Sequence, residues 1–421
     1  MLLTIESSKE ATFSWLVAKN PATQAQKGKP FEKPLKKGRV FCWFSSPKKL
    51  SLLFRDGRNA SSFSDEAFEY LDKTRYAAPA ALLGMMDEML RSAEKGEFED
   101  KFPEAATYLV KIPTLLVASE KVLNAMLSHA RDLQVDATQM AGKVWSLAIR
   151  HTGTLSYVLG WVRLLAIMQS LQHGESLPAS QIERYAGLIQ RLDAPYFVRY
   201  LFSRNVLNER GTFQKVKEAL ESPTVKLCFG DTRQQRHDAA KTKLKGGEVL
   251  VDIGCGEGWH AVRLSKLYEQ VLAFDLDEAQ IESNRRFAER RNLEKLTFAV
   301  GLRPDEVRTS QPIPPESDVL MFEVVEHMPQ DTAEALVLAV LDQAPRQVLI
   351  TVPNKTFNQY YALADDETRH PDHAWEPTRD EFQAWCEKMA ETKGYQVAIE
   401  GIGDSVAGDH LSLLAEFTVK A

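Results

Sequence analysis

Apolar residues along this chain follow two rhythms, and the change between them falls near residue 226. Up to about residue 55, short β-like runs (Met1–Ile5, Arg39–Phe44, Leu50–Phe54) surround a Lys/Pro-rich loop. Residues 77–97, AAPAALLGMMDEMLRSAEKGE, place apolar side chains at helical spacing. A proline-marked segment, FPEAATYLVKIPTLLV, precedes a second helical run, SEKVLNAMLSHA. Residues 136–225 read as mostly helical. Within them, TLSYVLGWVRLLAIMQSLQHG is apolar on most sides, which predicts a helix buried between domains.

From about residue 226 the pattern becomes strand, helix, strand. The runs 248–254, 270–277, 295–300, 317–327 and 346–354 read as strands, with helical patterns at 259–269, 278–292 and TAEALVLAVLDQ between them. Thr378 is positioned to cap a further helix, TRDEFQAWCEKMAETKG. Repeated βαβ units predict a parallel sheet with helices on both faces. YQVAIEGIG and HLSLLAEFTVKA close the chain with no helix between them, so one of these strands is expected to run antiparallel. The fold class is therefore α/β: a C-terminal Rossmann-like sheet over 226–421, an N-terminal α+β region over 1–135, and a helical connecting segment over 136–225.

Composition narrows the classes. With 44% hydrophobic and 26% charged residues the chain is ordinary for a globular protein, which argues against long disorder or a coiled coil. No run reaches the length of a membrane-spanning helix, so no membrane partner is expected. The opening MLLTIESSKEATFSW lacks the basic and apolar regions of a secretory signal. Cys42, Cys228, Cys255 and Cys386 are scattered without a CxxC pair, which fits reduced thiols and a cytoplasmic location. The net charge of -6 disfavours a purely electrostatic binder of nucleic acid. Its distribution still leaves basic stretches at Lys27–Lys49 and Lys226–Lys245, available either to a polyanion or simply to solvent.

Two clusters carry chemistry. The first is Asp252-Ile-Gly254-Cys-Gly256-Glu-Gly258, between a predicted strand and helix. Glycines there allow a tight turn and close backbone approach to a ligand. Asp275 ends the next strand, where a carboxylate can accept from two ribose hydroxyls. The loop is not G-x-G-x-x-G and has no Lys-Ser/Thr, which disfavours a dinucleotide or a triphosphate. It resembles the S-adenosylmethionine loop of class I methyltransferases.

The second is Glu323-Val-Val-Glu326-His327, at the end of the fourth strand, followed downstream by Arg369-His370-Pro-Asp-His373-Ala-Trp375-Glu376. Carboxylates and imidazoles at this spacing converge if the chain turns helical after the strand. Mixed oxygen and nitrogen donors suit Mn²⁺ or Mg²⁺, with the imidazoles favouring Mn²⁺, Co²⁺ or Fe²⁺ over Mg²⁺. A divalent ion next to a methyl donor suggests activation of a hydroxyl, and a ribose with free 2′- and 3′-hydroxyls would chelate through both oxygens. Ordinary surface charge is the alternative for either cluster alone.

FEVVEHM, VPNKTFN and RHPDHAWEPTRDEFQAW together resemble the RNA 3′-terminal ribose 2′-O-methyltransferases, over about 190 C-terminal residues. The resemblance implies metal ligands at Glu323, Glu326, His327 and His373. It implies S-adenosylmethionine contacts at Asp252, Gly254, Gly256 and Asp275, and an adenosine contact near Gly301-Leu302. His327, His370 and His373 become the catalytic histidines, with His370 behind the metal or in proton transfer. The family's Glu-Trp-Thr-Arg reads Glu376-Pro377-Thr378-Arg379 here, and its Glu-Tyr-Asn reads Thr356-Phe357-Asn358, which alters the wall of the RNA pocket. MLLTI, RYAAPAALL and HTGTLSYVLGWVRLLAIM resemble the bacterial RNA-repair branch. That likeness implies an RNA 3′ end as substrate, a polynucleotide kinase–phosphatase–ligase partner, and a ligase-activating role for residues 1–135. A small-molecule O-methyltransferase acting on a catechol-like diol, or a ligase-activating subunit, stay open as alternatives.

Overall fold

The computed structural model describes residues 1–17, 30–35, 38–56, 76–361 and 368–420. They form two compact units, Met1–Leu220 and Glu221–Ala421. Part of the basic stretch (Lys27, Lys29, Lys36, Lys37) and Arg75 lie outside the described residues.

The first unit is built on an antiparallel sheet of β1 (Leu2–Ser7), β2 (Phe31–Leu35), β3 (Gly38–Ser46), β4 (Lys49–Asp56), β5 (Ala106–Leu116), β6 (Gln134–Ala141) and β7 (Val144–Gly153), in the order β2-β3-β4-β1-β5-β7-β6. The proline-marked segment is β5, and its register against β7 slips between Ile112 and Leu115, around Pro113. A residue without an N–H is accommodated where the ladder is already broken. The expected helical segment over 136–225 needs correction. Residues 134–153 are a hairpin, turned at Gly142 with φ 55°, and helix begins only at Leu155. The hairpin therefore belongs to the first unit, and no separate connecting segment exists among the described residues.

The apolar helix Leu155–Gln172 is buried from Val158 to Leu171, as its pattern predicts. Its place differs from the expectation. It packs on helices Pro79–Met89, Arg91–Glu94, Glu120–His129, Ile182–Arg191 and Tyr196–Val206 and on β5 and β7, so it is the central helix of the first unit.

The second unit holds a sheet of β8 (Val225–Lys226), β9 (Gly247–Ile253), β10 (Tyr268–Asp275), β11 (Leu296–Val300), β12 (Asp318–Phe322), β13 (Gln347–Pro353), β14 (Tyr395–Val406) and β15 (Asp409–Val419). The order is β11-β10-β9-β12-β13-β15-β14-β8. β9 to β13 are parallel to one another, whereas β15 runs antiparallel to β13 and β14, as the missing last helix predicted. Every residue of β12 and β13 is buried. Alternation sends Val319, Met321, Val348 and Ile350 into one core layer, with helices Gln330–Leu341 and Arg379–Lys393. Leu320, Phe322 and Leu349 enter the other, with helices Trp259–Leu264 and Glu278–Arg291. This is the doubly wound arrangement, and the order in which strands are added to the sheet reverses between β9 and β12. In such sheets a crevice opens at the carboxyl ends of the two strands flanking that reversal.

Candidate active site and metal centre

β9 delivers Asp252 and the glycine loop to one side of that crevice. Gly254, Gly256 and Gly258 all have positive φ, at 72°, 49° and 68°. A Cβ on Gly254 would stand 2.4 Å from Val324 Cγ2, so the loop lies against the turn after β12. Gly254 and Cys255 donate to the Phe274 carbonyl, and Gly256 N–H donates to Asp275 Oδ2 at 2.8 Å. Asn284 Nδ2 donates to the Gly256 carbonyl at 2.7 Å. Asp275 Oδ1 accepts from Asp277 N–H at 3.0 Å. Asp275 thus already orders the loop, with lone pairs left for a ligand. Asp252 is buried, Oδ2 has no partner among the described residues, and burial with the nearby Asp275 charge pushes its carboxyl up to about 7. The Leu302 side chain is buried in the core with Val251 and Ile253.

β12 delivers the second cluster. Glu323 takes φ 54° and donates its N–H to the Thr351 carbonyl. The chain then turns through a single 3₁₀ turn, Val325–His327. Ligand atoms of Glu326, His327 and His373 come within 4.8 Å of one another. Glu326 is fully buried with both carboxylate oxygens unpartnered among the described residues. Desolvation, helped by the Glu323 charge, pushes its carboxyl well above the ordinary range. A buried carboxylate in this state is costly unless a cation arrives. His327 is exposed and its ring lies 4.8 Å, centroid to centroid, from that of His373. Desolvation and the second imidazole lower its pKa, which keeps it in the neutral form that binds metal.

Glu323 is held differently from the other three. Its Oε2 pairs with Arg236 Nη1 at 2.9 Å, and it does not join the convergent group. His370 lies outside that group too, 6.2 Å from the His327 ring, with Nδ1 accepting from Asp372 N–H at 3.3 Å. Two neighbours escaped the sequence reading of the site. Arg236 was visible only as one charge in a basic stretch. Glu376 stood within the second cluster without a role, although its i+3 spacing from His373 was a usable signal. Its side chain accepts from His373 Nδ1 at 2.5 Å.

His237 and His260 carried no assignment from sequence. They pack with Trp259 and Phe322 as a ring cluster, His260 lying 5.0 Å from Phe322 and 5.9 Å from His237. Burial, with Arg236 nearby, lowers His260 to about 3, so this imidazole is neutral at ordinary pH.

Comparison with known proteins gives two family matches. A Hen1 N-terminal domain matches residues 2–224, and a methyltransferase domain matches residues 250–342. The chain is 27% identical over 186 residues to a small RNA 2′-O-methyltransferase of Xenopus tropicalis, covering 41% of this chain and 49% of that protein. It is 36% identical over 93 residues to the Gallus gallus protein of the same description, covering 21% of this chain and 24% of that one. The chain thus spans half or less of the length of these curated relatives. In fold it is similar to a chain in a solved structure of a Pnkp1/Rnl/Hen1 RNA repair complex, with TM-score 0.77, 21% identity, and 99% and 100% of the two chains covered.

Proposed function

The chain belongs to the Hen1 family, and from that membership and the geometry of the site we propose that it methylates the 2′-hydroxyl of the 3′-terminal ribose of RNA. The observation that carries this reading is Glu326, a fully buried carboxylate with two unpartnered oxygens, converging with two imidazoles beside the glycine loop. One carboxylate and two imidazoles fit Mn²⁺ better than Mg²⁺. When bound, the cation would lower the pKa of a ribose hydroxyl and S-adenosylmethionine would offer its sulfonium methyl group.

The chain's own residues prepare both. The three glycines keep Cβ atoms out of the loop, and Asp252 and Asp275 border it as carboxylates for the methyl donor, with the backbone at Leu302 beside the adenosine. Glu326, His327 and His373 hold the cation. Glu323, paired with Arg236 at 2.9 Å, would join them only with that ion pair opened. His370, half-exposed beside the two imidazoles, is the candidate to pass the hydroxyl proton to solvent. We assign the first unit a contact with a kinase–phosphatase–ligase partner, supported by its Hen1 N-terminal domain. We place the protein in the cytoplasm. Support comes from four free cysteines.

The test is methyl transfer from labelled S-adenosylmethionine to a short RNA, with Mn²⁺ and with chelator. RNAs ending in a 2′,3′-diol, a 2′-deoxy ribose and a 3′-phosphate are compared. Labelling of the diol end only, and only with Mn²⁺, is expected. Equal labelling of the 3′-phosphate end would reject chelation through both hydroxyls. No labelling of any RNA would move the function to a small diol or to ligase activation.

A further inference from the structure

His373 sits in the stretch 368–378, which has no regular secondary structure and leads into helix Arg379–Lys393. Neither a helix nor a strand sets its ring plane, so side-chain contacts must. Two further contacts fix the backbone. Ala374 N–H donates to the Glu326 carbonyl at 2.7 Å, and Trp375 Nε1 donates to the Val325 carbonyl at 2.9 Å. The loop is thereby tied to the turn that carries the other two ligands.

The ring itself is held by Glu376. Glu376 Oε1 accepts from His373 Nδ1 at 2.5 Å and from Arg369 N–H at 2.8 Å, while Oε2 accepts from Asn358 Nδ2 at 2.6 Å. Asn358 is fixed in turn, because its Oδ1 accepts from Arg369 Nε at 2.6 Å. Arg369 spends its remaining nitrogens on the Leu411 and Asn354 carbonyls, and Asn354 Nδ2 reaches the His410 carbonyl. The frame is thus anchored in β15. The Glu376 side chain is 2% exposed and that of His373 is 7% exposed.

We propose that Glu376 is a positioning residue that locks His373 as the Nδ1–H tautomer and so directs the Nε2 lone pair at the cation; this rests on the metal reading above. The donor pattern demands a carboxylate. Three N–H groups converge on Glu376 from Arg369, His373 and Asn358, and a carboxylate is the side chain that only accepts. A glutamine of the same shape would aim its own N–H₂ at one of those donors. Asn358 cannot flip to relieve this without losing Arg369. A histidine ligand oriented by a buried carboxylate on its far nitrogen is a general device of metal sites, and removing that carboxylate costs about 10–100-fold in metal affinity.

The experiment uses the full chain, as wild type and as Glu376→Gln, after chelation and then with added Mn²⁺. Nitrogen-15 spectra of labelled histidine report the His373 tautomer without metal, assigned with His373→Gln. Titration followed by the resonance of free Mn²⁺ reports affinity, and melting temperature reports the fold. Expected are the Nδ1–H tautomer in the metal-free wild type and, in Glu376→Gln, its loss together with Mn²⁺ binding weaker by at least about tenfold. A wild type already in the Nε2–H tautomer overturns the proposal without any variant. So does a folded Glu376→Gln that binds Mn²⁺ as tightly as the wild type, and that result leaves the metal site standing. A wild type that binds no Mn²⁺ removes the metal site, and Glu376's role with it.

Discussion

At the scale of single residues, the second unit stores its cost in two buried carboxyls. Asp252 titrates at about 7 where an ordinary aspartate titrates near 3.8, because desolvation disfavours its charge. The unfolded chain ionises this group on passing about pH 4, while the folded chain holds the proton until about pH 7. Stability from Asp252 is therefore fully present below the ordinary value and is lost as pH rises toward 7. An asparagine keeps the shape and does not titrate. Asp252→Asn should thus gain on the wild type between pH 5 and pH 8 by about 1–3 kcal/mol, read from urea midpoints of the ligand-free proteins. Glu326 drifts the same way, but it is present in both proteins and cancels. A gap that does not change with pH would mean that Asp252 is ionised in the fold.

At the scale of elements, the central helix of the first unit shows what hydrophobic pattern alone conceals. Its Arg163 is fully buried, bonded through Nε to Glu94 at 2.6 Å and through Nη1 to Asp87 at 3.0 Å. Arg184, on the helix Ile182–Arg191, binds the same two carboxylates. The group ties four helices, and each charge is tolerable only while its partners stay. Arg163→Met should cost about 3 kcal/mol in urea unfolding, because Glu94 remains buried and half-compensated. Lys49→Ala, which breaks the half-exposed pair with Glu6, should cost under about 1 kcal/mol. Equal losses would show that the buried group contributes nothing beyond a surface pair.

At the scale of the whole molecule, the division at residue 220 gives two cores that need not unfold together. The convergent ligands Glu326, His327 and His373 belong wholly to the second unit. A ligand that binds only the folded form stabilises by mass action, about 2.7 kcal/mol at a hundred times its dissociation constant. Calorimetry should therefore show two transitions, of which Mn²⁺ raises one. Glu326→Gln should abolish that rise, and it should raise the same transition in chelator, where the uncompensated charge is relieved. A single transition that follows Mn²⁺ as a whole would mean that the two units unfold as one.

The sequence by itself determined the parallel sheet, the antiparallel last strand, the glycine loop and the close clustering of Glu323, Glu326 and His327. Their signals are local: a period of two against 3.6, an absent helix, a run of glycines, a cluster within five residues. It misread residues 136–153. Six of the eight residues of β6 are exposed and none is buried, so the strand has no core face to mark it, and its pairing with β7 makes it one. It also gave the helix Leu155–Gln172 the right burial and the wrong neighbours, since an apolar helix face does not specify what covers it. Glu323, Glu326 and His327 were equivalent candidates in the sequence. Tertiary structure separated the two glutamates by setting Glu323 on Arg236, which is far away along the chain, and leaving the Glu326 carboxylate with no partner among the described residues. It also put Glu376 behind His373, because hydrogen-bond partners are chosen by proximity in space and a buried carboxylate must find donors wherever the fold supplies them.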